Sequence, residues 1–181
     1  MTKILKHPYL FAALVFVIAS CTTSPTGRRQ AHLMPASQMD SMGVASFAEL
    51  KKKTPITTDK TMTAQVKCVV TALLNRNGFN AGEWEVQVFK DDSVNAFALP
   101  GKKIGVHTGI FKAAKNQDQL AAVLGHEIGH VIAEHGNERV SENLLVQGAM
   151  VGASLVVDGK TQKGQTIMAL IGAGANFGIL L

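Results

Sequence analysis

Apolar positions along the chain change their period several times, and each change marks an element. Residues 9–19 (YLFAALVFVIA) form an unbroken apolar run behind a basic start of Lys3, Lys6 and His7. The run is shorter than the roughly 20 residues a helix needs to span a bilayer, and it fits the apolar centre of an export signal. A polar stretch with prolines and a glycine follows over 22–35 and reads as a tether. Ser37 is placed to cap a helix from about Gln38 to Lys53, halted before Thr54-Pro55. Met62, Val66, Val69, Val70, Leu73 and Leu74 recur at helical spacing, which predicts a helix over 58–77 with Gly78 as its stop. Cys68 falls inside that helix and reads as a small buried apolar residue.

The period then shortens. Trp84, Val86 and Val88 alternate with Glu85, Gln87 and Phe89, the pattern of a strand with one wet face. Asp91–Ser93 reads as a turn, Val94–Leu99 as a second strand broken by Pro100-Gly101, and Ile104–Val106 as a short third strand. Asn116 can cap the next helix, with Asp118 in its first turn. Leu120, Val123, Leu124, Ile128, Val131 and Ile132 give this helix an apolar face, and it is expected to end near His135-Gly136. A further helix is expected from about Glu138 to Val157. Residues 167–181 are apolar and glycine-rich. Strands in one block and helices in the others predict an α+β fold, mainly helical, with a small antiparallel or mixed sheet beside a helical layer.

Composition narrows the function classes. At roughly 150 residues per domain, 181 residues make one domain and a short extra. Hydrophobic residues at 46% against 17% charged exclude a disordered chain. Net charge is +5, and loss of Lys3 and Lys6 with an export signal leaves 16 basic against 13 acidic residues. That balance is too mild and too evenly spread for a nucleic-acid partner. The cysteines are Cys21 and Cys68. Val17-Ile18-Ala19-Ser20-Cys21 resembles a bacterial lipobox, which implies a signal peptide over 1–20 and a diacylglyceryl group on Cys21. Cys68, left alone, cannot close an internal disulfide. Thr22 rather than Asp after the cysteine implies the outer membrane. The expected arrangement is a lipidated tether over 21–36 and a domain over 37–181 facing the periplasm, held to the membrane by acyl chains. An ordinary secretory signal with a chance cysteine and a transmembrane anchor are the alternatives.

The chemistry lies in His126-Glu127-Ile128-Gly129-His130, an H-E-x-x-H pattern on a helix. Residues four apart share a helix face, so His126 and His130 can converge on one cation, and neutral imidazoles suit Zn2+. Glu127 can reach a water polarised by that metal and take its proton, which makes peptide hydrolysis the natural reaction. Gly125 and Gly129 are costly inside a helix, about 1 kcal/mol each relative to Ala. They make sense if another backbone packs close to this helix. A third histidine in the metzincin register is missing: that position is Gly136, with Ala133 where a glycine is needed. His135 reads as a helix C-terminal residue favoured by the dipole, with ligation as the alternative. His107 reads as a surface or strand-end histidine.

Asn95-Ala96-Phe97-Ala98-Leu99-Pro100-Gly101, Ile104-Gly105-Val106-His107-Thr108-Gly109 and Leu120 through His130 together resemble peptidase family M48. That family includes the CAAX prenyl proteases, the HtpX heat-shock protease and LoiP-like bacterial lipoproteins, and the lipobox points to the last branch. The resemblance runs from about residue 37 to the end of the chain. It implies a zincin-like (gluzincin) fold, one Zn2+ per chain on His126 and His130, Glu127 as catalytic base, and protein or peptide substrates. It also implies that Asn95, Ala96, Phe97 and Ala98 form an edge strand that pairs with an extended substrate through main-chain hydrogen bonds. A plain core strand is the alternative for these residues.

The family's third ligand is a glutamate in a downstream E-x-x-x-D helix, and this sequence contains no such motif after His130. The expectation is therefore a family member truncated at its C-terminus. Three functions follow: a lipid-anchored zinc endopeptidase of the envelope that degrades misfolded proteins, a catalytically silent lipoprotein that only binds clients, or a remnant without function.

Overall fold

The computed structural model describes residues 21–25 and 27–156. The signal expected over 1–20, the side chain of Cys21 on which lipid is expected, and the stretch 157–181 lie outside the described residues. Two compact units are present among the described residues, one of residues 35–136 and one that includes 21–25, 27–34 and 137–156.

The first unit holds helices α1 (Ala36–Lys53), α2 (Lys60–Arg76) and α3 (Gln117–Ile132), and strands β3 (Glu85–Phe89), β4 (Ala96–Leu99) and β5 (Lys103–His107). β5 lies in the middle of a mixed sheet, parallel to β3 and antiparallel to β4. Described residues are thus mostly helical with one small mixed sheet, in keeping with α+β. α2 starts at Asp59, whose side chain accepts from the Met62 N–H at 2.9 Å. It stops at Asn77-Gly78, where Gly78 takes φ +78°. The start of α1 departs from expectation: Pro35 is its N-cap, and Ser37 lies inside the helix, where its carbonyl accepts from the Ser41 hydroxyl. No side chain caps this end; the Pro35 carbonyl accepts from the Gln38 and Met39 N–H groups at 3.0 and 3.1 Å.

Strand periodicity sorts the core into two layers. Val86, Val88, Ala96, Ala98, Ile104 and Val106 pack with Val66, Val70 and Leu74 of α2 and Leu120, Leu124 and Ile128 of α3. The opposite face, expected to be wet, is covered by α1. Phe89 is fully buried there, edge-on to Phe47 at 5.8 Å between centroids and stacked on Phe97 at 6.3 Å. Gly105 makes room for this cluster: a Cβ there would stand 2.6 Å from Cε1 and Cε2 of Phe97. Below the aromatics, Glu85 sits between Lys51 of α1 and Lys103, which hold its carboxyl below the usual carboxylate range by hydrogen bonding and charge.

Cys68 is exposed, contrary to the buried reading. The inward face of α2 runs through Val66, Val69, Val70 and Leu74, and a residue two beyond Val66 lies on the far side of a 3.6-residue turn.

In the second unit, residues 21–34 do not form an open tether. β1 (Cys21–Thr23) and β2 (Arg29–Ala31) pair as an antiparallel hairpin. Arg28 holds Glu138 of α4 (His135–Val156) with two 2.6 Å hydrogen bonds, and the Leu33 N–H donates to Ser141 at 2.8 Å. Glu138 is nearly buried, so the bidentate guanidinium supplies the counter-charge its carboxylate needs. No helix among the described residues is long and apolar enough to cross a membrane.

Candidate metal centre

α3 carries the H-E-x-x-H residues, and its N-terminus is fixed reciprocally. Asn116 accepts from the Gln119 N–H at 2.9 Å, and the Gln119 side chain accepts from the Lys115 N–H at 2.7 Å. Leu120, Leu124 and Ile128 bury one face of the helix in the core. That anchoring turns His126 to solvent and leaves Glu127 and His130 half-buried. The two imidazoles meet: His126 Nε2 lies 2.9 Å from His130 Nε2, with the rings nearly perpendicular.

This spacing suits a shared cation. Zn–N bonds of about 2.0–2.1 Å at a tetrahedral angle set two ligand nitrogens about 3.3 Å apart, so the rings need to part by only about 0.4 Å. The pair could supply two of the three protein donors that a catalytic zinc requires. Among the described residues no group of three or more His, Cys, Asp or Glu side chains could hold a metal.

α3 ends earlier than its sequence pattern predicts. Ala133 is its C-cap, and Glu134 adopts φ +53°, a left-handed conformation that costs a non-glycine residue about 1 kcal/mol. His135 then opens α4 instead of closing α3. Its Nδ1 lies 2.6 Å from Nδ1 of His130, on the opposite edge of that ring from His126. The dipole reading of His135 is therefore corrected, and ligation of a cation shared with His126 is disfavoured.

The glycines of α3 are also not where a backbone crosses. Gly125 meets only the Leu73 side chain, at 3.8 Å, and nothing lies within 4 Å of a Cβ at Gly129.

β4 packs along α3 and, among the described residues, pairs with β5 alone. Ala96 and Ala98 face the core shared with α3, whereas the Phe97 ring lies on the opposite face, beneath α1. Asn95 precedes the strand, is exposed, and accepts from the His107 N–H at 3.0 Å. What β4 presents along its open side is therefore main chain. Its far end is pinned at the Pro100–Lys102 turn, where Gly101 donates to Asp40 at 2.7 Å and Gly43 of α1 leaves space for the Pro100 carbonyl.

His107 closes β5 with most of its side chain covered, and forms a cluster that the sequence did not reveal. Ser93 donates its hydroxyl to Asp91 at 2.7 Å and meets His107 Nδ1 at 2.7 Å. The Ser93 amide and hydroxyl hold the Asp91 carboxyl below its ordinary range. The trio ties the β3–β4 turn to β5.

Known proteins share this arrangement of sequence. The model of Peptidase family M48 matches residues 60–180, well over half of the chain. The mitochondrial metalloendopeptidase OMA1 of Schizosaccharomyces pombe is 34% identical over 119 residues, covering 66% of this chain and 33% of that protein. The Arabidopsis thaliana OMA1 is 46% identical over 61 residues, 34% of this chain and 13% of that protein. The beta-barrel assembly-enhancing protease of Escherichia coli K12 is 24% identical over 173 residues, covering 93% of this chain and 35% of that protein. The two OMA1 proteins are metalloendopeptidases and the third relative is a protease. The chain belongs to peptidase family M48. It spans about a third or less of the length of these curated relatives.

Proposed function

We propose that this protein is a zinc-dependent metalloendopeptidase of gluzincin type, acting on unfolded proteins of the bacterial cell envelope. The observation that carries this reading is the 2.9 Å approach of His126 Nε2 and His130 Nε2, one turn apart on α3, in a chain of family M48. Those two nitrogens would hold one Zn2+ per chain as two of its protein donors. Zn2+, when bound, polarises a peptide carbonyl and acidifies water. Glu127 receives the proton of the attacking water and returns it to the leaving amine. The core-facing side of α3 keeps His126, Glu127 and His130 from moving apart during that transfer. The main-chain edge from Asn95 through Ala96, Phe97 and Ala98 binds an extended segment by β-addition, which reads backbone rather than side chains and so accepts many sequences. A lipid on Cys21 would hold the protein at the outer membrane, facing the periplasm, and the relationship to an Escherichia coli beta-barrel assembly-enhancing protease supports an envelope setting.

The test is casein cleavage by the purified full chain with one equivalent of Zn2+, run beside Glu127→Gln. Cleavage by the wild type and its loss in Glu127→Gln is the expected outcome. Equal cleavage by both sinks the assignment. Casein binding by both without hydrolysis favours the silent, client-binding alternative.

A further inference from the structure

His126 is not the only histidine that His130 meets. In an unbroken helix His135 would point about 140° around the axis from His130, out of reach. The left-handed residue Glu134 ends α3 and swings the chain so that the first residue of α4 returns to the ring five positions earlier. The result is a 2.6 Å contact between Nδ1 of His135 and Nδ1 of His130, with ring centroids 4.8 Å apart. A neutral imidazole has one proton. Two Nδ1 atoms at this distance share one hydrogen, so one ring donates and the other accepts.

Resting on the zinc reading above, we infer that His135 is a positioning residue that accepts the Nδ1 proton of His130. That acceptance places the only proton of the His130 ring on the edge away from His126 and leaves Nε2 bare, the form that can ligate a cation. The opposite assignment protonates His130 Nε2 and closes it to metal. Ligating histidines are commonly oriented and made more basic by such a hydrogen-bond acceptor, and loss of it typically weakens metal binding about 10–100-fold. His135 touches neither metal nor substrate in this role.

Two nearly isosteric substitutions separate acceptance from packing. His135→Leu fills the space without an acceptor, and His135→Asn restores an oxygen where Nδ1 stood. Zn2+ affinity of the full chain is read by competition with a chromophoric chelator at about pH 8, above the ordinary imidazole range. His135→Leu is expected to bind about 10–100-fold more weakly than wild type, and His135→Asn to bind like wild type. Wild-type affinity in His135→Leu, or equal loss in both variants, overturns the inference. The ring-nitrogen chemical shifts of His130 in the metal-free wild type, assigned against His130→Gln, give a readout that needs no variant at position 135. A proton on Nδ1 supports the inference and a proton on Nε2 overturns it. Failure of the wild type to bind Zn2+ would instead count against the peptidase reading, and the proton's position on His130 would still decide the role of His135.

Discussion

Gly105→Ala sets two effects of opposite sign against each other. In a strand interior, alanine in place of glycine stabilises by about 0.5–1 kcal/mol, because glycine loses more backbone entropy on folding. At position 105 the new methyl would stand 2.6 Å from two carbons of the Phe97 ring. Carbon atoms prefer about 3.5–4.0 Å, so the ring must retreat by about 1 Å or more. Phe97 is half-buried, and Phe47, Phe89 and His107 surround its ring at 6.4, 6.3 and 6.0 Å between centroids, so its retreat disturbs their packing. Overpacking of this kind costs about 1–3 kcal/mol, which exceeds the backbone gain. A net loss of about 1–2 kcal/mol is expected, read as a lower urea midpoint at unchanged slope. Phe97→Ala alone also destabilises, but Gly105→Ala added to it should then be neutral or stabilising, a coupling of more than about 1 kcal/mol between touching sites. Gly105→Ala that is neutral or stabilising in the wild-type background would refute this packing of the sheet against α1.

Other perturbations test separate parts of the structure. Asn116→Ala removes the cap of α3 and should cost about 1 kcal/mol in urea unfolding, whereas Ser37→Ala, which removes no cap, should be silent. Cys68 should react with a maleimide in the native protein as fast as in urea; protection from the reagent would restore the buried reading. Folding holds the carboxyls of Glu85 and Asp91 below their ordinary ranges, so their stabilising contribution is present above the unfolded carboxylate pKa and disappears as pH falls through the folded values. Lys51→Met should flatten the acid limb of the stability profile, and an unchanged limb would remove Lys51–Glu85 from the account.

The legible parts of the sequence were those written in local chemistry. Asn116 with its amphipathic run located α3, and the histidine spacing brought two imidazoles together because one helix carries both. Gly78 marked the end of α2 through the positive φ it takes there. Less was legible where distant segments decide. Phe89 sat at a position read as wet, because nothing in a five-residue strand announces that α1 will cover its second face. Cys68 could have been placed correctly, since its offset from Val66 already puts it outside the apolar stripe. The break at Glu134 carried no glycine to signal it, so His135 was assigned to the wrong helix. The parallel pairing of β3 with β5 depends on β5 inserting between strands that precede it, which alternation alone does not encode.

The claim beneath the functional reading is that the facing edges of His126 and His130 grip a single ion. Zinc K-edge X-ray absorption of the full chain loaded with one equivalent reports that directly. Two imidazole nitrogens at about 2.0–2.1 Å are expected, falling to one in His126→Ala and in His130→Ala. A zinc shell without imidazole scattering, or one unchanged by both substitutions, would contradict it.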